Sequence, residues 1–292
     1  MIIESYSIYQ SNRLRPVARP SLVARPLRFL LFWLVLVGGL ATRPELAAGQ
    51  ARPAAERSDG QGAAVYLPIV RTAGDNCQPI PGANYGILNV IPPPADRPAA
   101  AHGDLNLALR GYDPTNAYLG LVDYAGMIDP NAPQLPGLFL DNRTGVFVAA
   151  YQVHHWDWGC NCRGPVITYP DVTLAGLAVA PGETIHVPPS GYEIGGGYEV
   201  LVLYAEPERI TLKYTAEDNV VWGYTLHVED VCVDPNLLSL YEQWNEAGRD
   251  YLPALTAGQA FGRAQGDEIG VAIRDTGAFM DPRSRKDWWQ GR

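Results

Sequence analysis

The side chains best suited to chemistry cluster in YQVHHWDWGCNC, residues 151–162. His154, His155, Asp157, Cys160 and Cys162 offer nitrogen, oxygen and sulfur donors of the kind that hold zinc or another first-row metal. Their spacing matches no ligand signature. In an extended segment successive side chains point to opposite faces, so only one of His154 and His155 shares a side with Asp157. Trp156 and Trp158 would share a face. The stretch is therefore expected to be an aromatic strand tied down by a disulfide, with a metal site as the alternative.

Other chemistry is thin. The histidines are His102, His154, His155, His186 and His227, and any zinc site would draw on these. No G-x-S-x-G marks a serine nucleophile, and Ser190 sits in PPSG, a turn signal. Asp and Glu total 31, but nothing singles out the pair that glycoside hydrolysis needs.

The four cysteines, Cys77, Cys160, Cys162 and Cys232, all follow an apolar run, FLLFWLVLVGGLA at 29–41, which Arg25 and Arg28 precede. That run is shorter than the roughly 20 residues of a spanning helix and ends in small residues. It reads as the core of a signal peptide over 1–41, with cleavage after Ala41 or Ala51; an uncleaved membrane anchor is the alternative. In an oxidising compartment the cysteines are expected to form disulfides. Cys160 and Cys162 are too close in sequence to favour each other, so each is expected to reach Cys77 or Cys232. A site of four thiolates is disfavoured by the spacing.

Residues 1–51 carry six arginines against Glu4 and Glu45, which leaves −13 for the rest of a chain whose net charge is −9. Lys213 and Lys286 are the only lysines. Such a balance argues against nucleic acid and anionic membrane surfaces as partners.

The elements that must position these groups are mostly strands. Residues 42–83, rich in Ala, Arg, Pro and Gly at their start, read as a linker in which VYLPIV, 65–70, could be a first strand. A β-rich region over 84–165 carries LNLALRGY, YLGLVDYAG and GVFVAAYQV. A second block, 166–292, carries VTLAGLAV, YEVLVLY, RITLKYT, VVWGYTLHVEDV and EIGVAIRD, which alternate or run apolar between Gly, Pro, Asp and Asn. One helix is expected at 235–248, with Asp234 as its cap, Pro235 as first residue and Gly248 at its end. Leu237, Leu238, Leu240, Tyr241 and Trp244 form its apolar stripe. The tail MDPRSRKDWWQGR, 280–292, sets Trp288 and Trp289 beside Arg283, Arg285 and Lys286. Tandem Trp can stack on sugars, but exposure harms solubility, so packing onto the body is expected.

Within 166–292, four landmarks occur in order: AGLAVAPGETIHVPPSG at 175–191, RITLKYTAEDNVVWGYTLHVEDV at 209–231, TAGQAFGRAQG at 256–266 and EIGVAIRDTGAFMDP at 268–282. This order resembles the lysostaphin-type zinc metalloendopeptidases, which cut peptide cross-links in bacterial cell walls. The resemblance covers about 120 of 292 residues and implies a small, folded-over antiparallel β domain. The family binds zinc through H-x-x-x-D and a later H-x-H. Here the first pair of ligand positions falls on Leu174 and Ala178, and Glu268 and Gly270 stand where H-x-H should be. Leu, Ala and Gly side chains donate no electron pair to a metal. His227, in YTLHVED, lies one residue from the family's catalytic histidine and would be a remnant.

The resemblance thus implies a secreted, non-catalytic relative with no cofactor, binding an envelope glycan or peptide or a protein partner. Tyr192, Tyr198, Trp222 and Tyr224 are the candidate contacts, since aromatic faces suit such ligands. The alternatives are an active zinc metallopeptidase with atypical ligands and a purely structural surface protein.

Overall fold

A computed structural model describes residues 77–292. The leader expected at 1–41, most of the linker expected at 42–83 and the strand expected at 65–70 lie outside the described residues. In chain order the strands are β1 Gly86–Asn89, β2 Tyr112–Pro114, β3 Phe147–Asp157, β4 Cys162–Val166, β5 Leu174–Ala178, β6 Thr184–His186 and β7 Val200–Glu206. They continue as β8 Arg209–Lys213, β9 Tyr224–Glu229, β10 Val231–Val233, β11 Tyr251–Leu255, β12 Ala260–Ala264, β13 Glu268–Asp275 and β14 Ala278–Met280. The α-helices are α1 Leu107–Arg110, α2 Pro235–Glu246 and α3 Arg285–Trp288. The mainly β architecture expected from the sequence is the one the chain forms.

Antiparallel pairing joins β1-β11-β7-β8-β9-β13-β5-β3-β2 into one sheet, with β14 on β13 and β4 on β3. A second sheet runs β10-β12-β6. Alternation in the central strands decides which face meets which neighbour. Ile210 and Leu212, Leu226 and Val228, and Ile269, Val271 and Ile273 point to one side. There they join Ile185, Val231, Val233 and Phe261 of the small sheet in the main core. The residues between them, Thr211 and Lys213, Thr225, His227 and Glu229, and Ala272 and Arg274, point to the other side and are buried as well. The central strands are therefore covered on both faces, one apolar and one largely polar.

The boundary expected near 165 does not divide the fold. β3, from the first block, pairs with β5 from the second, and β1 pairs with β11. The described residues, 77–292, fall within one compact unit, because strands of the large sheet take partners from the other half of the sequence.

α2 matches its sequence signals. Asp234 caps it by accepting a hydrogen bond from the Asn236 amide at 2.8 Å, an arrangement that stabilises a helix by about 1 kcal/mol. Leu237 and Tyr241 are its fully buried residues, while Leu240 and Trp244 are half-buried. The C-terminal tail packs inward as expected. Trp288 and Trp289 are buried, and their indole N–H groups donate to Asp281 O at 2.9 Å and Pro282 O at 2.8 Å.

The disulfides correct one expectation. Cys77 bonds Cys232, and Cys160 bonds Cys162. The near neighbours pair because Asn161 between them takes the left-handed conformation, φ 53°, which asparagine tolerates. The chain folds back there and brings their Cα atoms to 5.3 Å, inside the range a disulfide spans.

Candidate functional site

The positions at which the resemblance would place metal and catalytic groups lie on neighbouring strands but do not share one point, since Leu174 and Ala178 are about 13 Å apart along a single strand. Leu174 and Ala178 lie on β5, Gly270 on β13 and His227 on β9, three adjacent strands. A Cβ added to Gly270 would stand 3.3 Å from Leu174 Cδ2 and 3.2 Å from Glu229 Cβ, so aliphatic carbon occupies the neighbourhood. These residues do not fit zinc: Leu174, Ala178 and Gly270 have no donor atoms in their side chains.

His227 is fully buried. Its Nδ1 lies 3.0 Å from Thr211 Oγ1, and that hydroxyl donates to Leu105 O at 2.7 Å. Thr211 therefore accepts from Nδ1–H, and Nε2 carries a lone pair with no protein partner. The ring stacks on Phe279 at 6.1 Å. Burial holds His227 well below the ordinary histidine value, and Arg274 and Arg110 push the same way against Asp104. It is a neutral imidazole inside the fold.

Residues 99–110 lie over this face and share a charge network with it. Asp104 accepts from Arg110 at 2.6 Å and from Arg274 at 2.8 Å. Arg274 also donates to Gly277 O at 2.9 Å. Burial alone would raise the Asp104 carboxyl, but the two guanidinium groups outweigh it and hold the pKa low. Further along the same face, Glu229 accepts from Arg209 Nε at 2.8 Å. Its carboxyl is nonetheless raised, because burial exceeds what Arg209 returns. Lys213, wholly buried, is pushed down to about 8 by burial. Sequence reasoning missed these groups, since Asp104 and Arg110 lie in short turns without a period, far in sequence from the strands that carry Arg209, Lys213, Glu229 and Arg274.

The donors of the 151–162 stretch do not converge. His154 uses Nδ1 against Gly164 O at 2.8 Å and Nε2 against Asp113 at 3.2 Å. Asp157 accepts from the Gly159 amide at 2.7 Å, His155 faces solvent, and both cysteine sulfurs are spent on each other. Among the described residues no three His, Cys, Asp or Glu side chains are grouped closely enough to hold a metal ion.

Two of the four aromatic candidates do meet. Tyr192 and Tyr224 each donate their hydroxyl to Asp129 Oδ2 at 2.8 Å, and their rings lie 6.2 Å apart. Tyr224 in turn stands edge-on to buried Trp288 at 5.5 Å, which fixes its ring. Asp129 is further held by the Asn131 amide at 2.9 Å. Burial pushes its carboxyl up, but the amide and the two phenols together outweigh it and keep it below the ordinary value. The tyrosine hydroxyls are pushed up correspondingly: Tyr224 first by burial, Tyr192 first by its bond to Asp129.

No family model, curated protein or solved structure matches this chain.

Exposed apolar side chains adjoin Asp129 and Tyr224 in sequence, and charged groups stand at the patch too: Lys286 donates to Met127 O at 3.2 Å and the Asp275 carboxylate acts on both phenols. Met127 and Ile128 precede Asp129 and are 94% and 58% exposed, and Trp222, two residues before Tyr224, is 61% exposed. Gly223 between them has φ 58°, a turn that releases Trp222 from the strand. Tyr198 is elsewhere: its ring covers Gly86 and lines a shallow cleft with Ile80, Asn84, Thr256 and Gln259. Asp129 was not among the sequence-derived candidates. The one signal for it was MIDP at 127–130, two apolar side chains running into an Asp-Pro turn.

Proposed function

We propose that this chain acts outside the cytoplasm as a non-catalytic binding protein for a glycan of the cell envelope, engaged at Tyr192, Trp222 and Asp129. It is on this reading a relative of the lysostaphin-type metalloendopeptidases that has exchanged catalysis for binding. The observation that carries the reading is the Asp129 carboxylate accepting both phenols beside exposed apolar side chains. A sugar presents hydroxyls and apolar ring faces together. A fixed carboxylate accepts from hydroxyls, and aromatic faces cover the C–H surface.

Two further features support it. The sheet face that holds Leu174, Gly270 and His227 is buried and covered by residues 99–110, so a scissile bond has no access there. The Cys77–Cys232 disulfide accords with an oxidising compartment.

Sedimentation with insoluble peptidoglycan and with other envelope polysaccharides tests the proposal. The purified chain is expected to co-sediment with at least one of them. Tyr192→Ala combined with Trp222→Ala is expected to weaken that retention at least tenfold while the fold stays intact by circular dichroism. Retention on none, or retention indifferent to the double substitution, rejects the reading. Stoichiometric metal with peptidase activity in the purified protein would reject its non-catalytic part.

A further inference from the structure

The β3–β4 hairpin places Cys160 and Cys162 at its tip, both exposed to solvent. Only Asn161 separates them. A disulfide stabilises a fold chiefly by closing a loop in the unfolded chain, and this loop is as short as a cysteine pair with one intervening residue allows. The bond therefore does little for the fold. Cys77–Cys232 differs on both counts: it spans 155 positions and Cys232 is 2% exposed. Exposed disulfides are the more readily reduced ones, and access decides which sulfur a thiolate attacks.

An aromatic cluster lies beside the tip. Trp158 is 41% exposed, with Trp156 edge-on at 6.4 Å and His102 at 5.0 Å. The Arg97 guanidinium lies 5.7 Å from the Trp158 ring. Trp156 donates its indole N–H to Asn161 Oδ1 at 3.3 Å, which ties the aromatic group to the residue between the two sulfurs. Gly103 lies beneath Trp156, where a Cβ would stand 2.5 Å from the indole ring. The aromatic group and the disulfide thus form one surface at the far end of a hairpin.

We propose that Cys160–Cys162 is a thiol–disulfide exchange site, and that its substrate is a dithiol polypeptide with apolar side chains that rest against Trp158. A thiolate of the substrate attacks one sulfur of the pair. The Cys160–Cys162 bond breaks, its electron pair leaves on the other cysteine as a thiolate, and a mixed disulfide joins the two chains. The second thiolate of the substrate attacks its own half of that mixed disulfide. The interchain bond breaks and its electron pair returns to this chain. The substrate has lost two electrons and two protons and holds a disulfide; Cys160 and Cys162 have gained both and are a dithiol.

The test uses the full, oxidised chain. In a series of reduced and oxidised glutathione buffers, free thiols are trapped by alkylation and located by mass spectrometry. Cys160–Cys162 is expected to open in buffers at least 100-fold less reducing than those that open Cys77–Cys232. Opening of the two together overturns the proposal. In a second measurement the oxidised chain meets a synthetic Cys-x-x-Cys dithiol peptide carrying Phe and Leu. Peptide oxidation is expected to be stoichiometric and at least 100-fold faster than with the Cys160→Ser, Cys162→Ser chain; equal rates reject the activity. Trp158→Ala is expected to slow the peptide reaction at least fivefold and leave reduction by glutathione unchanged, and equal slowing of both rejects Trp158 as the docking residue.

Discussion

The buried face of the large sheet and the exposed patch around Asp129 hold much the same functional groups to opposite ends. On the buried face Arg110 and Arg274 share the Asp104 carboxylate, Glu229 accepts from Arg209, and His227 is neutral, so the charges are spent inside the fold. At the patch a single carboxylate and two phenols make one small network, and the side chains beside it face water. Catalytic residue types mark a site only where a substrate can reach them. The difference between the two regions is access and neighbours, neither of which is visible in residue type.

The largest effect expected from disturbing this contrast is on the buried side. Asp104→Ala leaves Arg110 and Arg274 without their shared carboxylate, and should destabilise the chain by about 3–5 kcal/mol. Urea unfolding measures it; a loss below about 1 kcal/mol would mean that water reaches the two guanidinium groups and that the face is not closed.

His227 gives the next effect, in its pH dependence. Its folded pKa is depressed below the ordinary 6.5, so the unfolded chain takes up a proton that the folded chain refuses. Stability is present above pH 6.5 and falls as the pH drops below it, by up to about 1.4 kcal/mol per pH unit. His227→Leu, close in volume, should remove that part of the acid slope, change stability at pH 8 by no more than about 1.5 kcal/mol, and leave glycan retention as it was. An unchanged acid limb, or lost retention, would contradict the assignment of His227 to the interior.

Glu229 gives a smaller slope of opposite sign, because Arg209 offsets part of its burial. Its folded pKa lies above the ordinary 4.5. As the pH falls through that raised value the folded chain binds the proton first, and stability rises until 4.5 is reached. Unfolding midpoints of Glu229→Gln should lack this rise while retaining the His227 limb. A rise of full size in the variant would place the titrating carboxyl elsewhere.

Tyr192→Phe should have the least effect on the fold. It removes one exposed hydrogen bond to Asp129, worth about 0.5–1.5 kcal/mol at most, and Tyr224 still holds the carboxylate. Thermal unfolding checks this. A loss above about 2 kcal/mol would make the patch a structural element rather than a binding surface.

The regions also differ in how far they were legible. The central strands announced themselves, since Ile210 and Leu212, Leu226 and Val228, and Ile269, Val271 and Ile273 alternate with polar or small residues. Cap, Pro and Gly signals located α2 within two residues of its observed end. What alternation cannot state is whether the second face is wet or covered, and so nothing in the sequence placed Thr211, His227 and Arg274 in a closed layer. The cover comes from residues 99–110, whose short helical turns carry no strong period. The split near 165 failed for a related reason: which strand a given strand pairs with depends on contacts across the whole chain. The Cys160–Cys162 pairing depended on the backbone conformation of Asn161, which the spacing alone does not give. At the patch, Tyr192 and Tyr224 were found by residue type, but Asp129, which joins them, sits 63 and 95 positions away.

Hydroxyl-radical footprinting with and without soluble peptidoglycan fragments is the most direct measurement of the contrast between patch and interior. Bound glycan is predicted to protect Met127, Tyr192 and Trp222 and to leave Trp158 and Tyr251, exposed elsewhere on the surface, oxidised as before. Protection that spares Met127, Tyr192 and Trp222, or an equal decrease at all five side chains, would contradict the account.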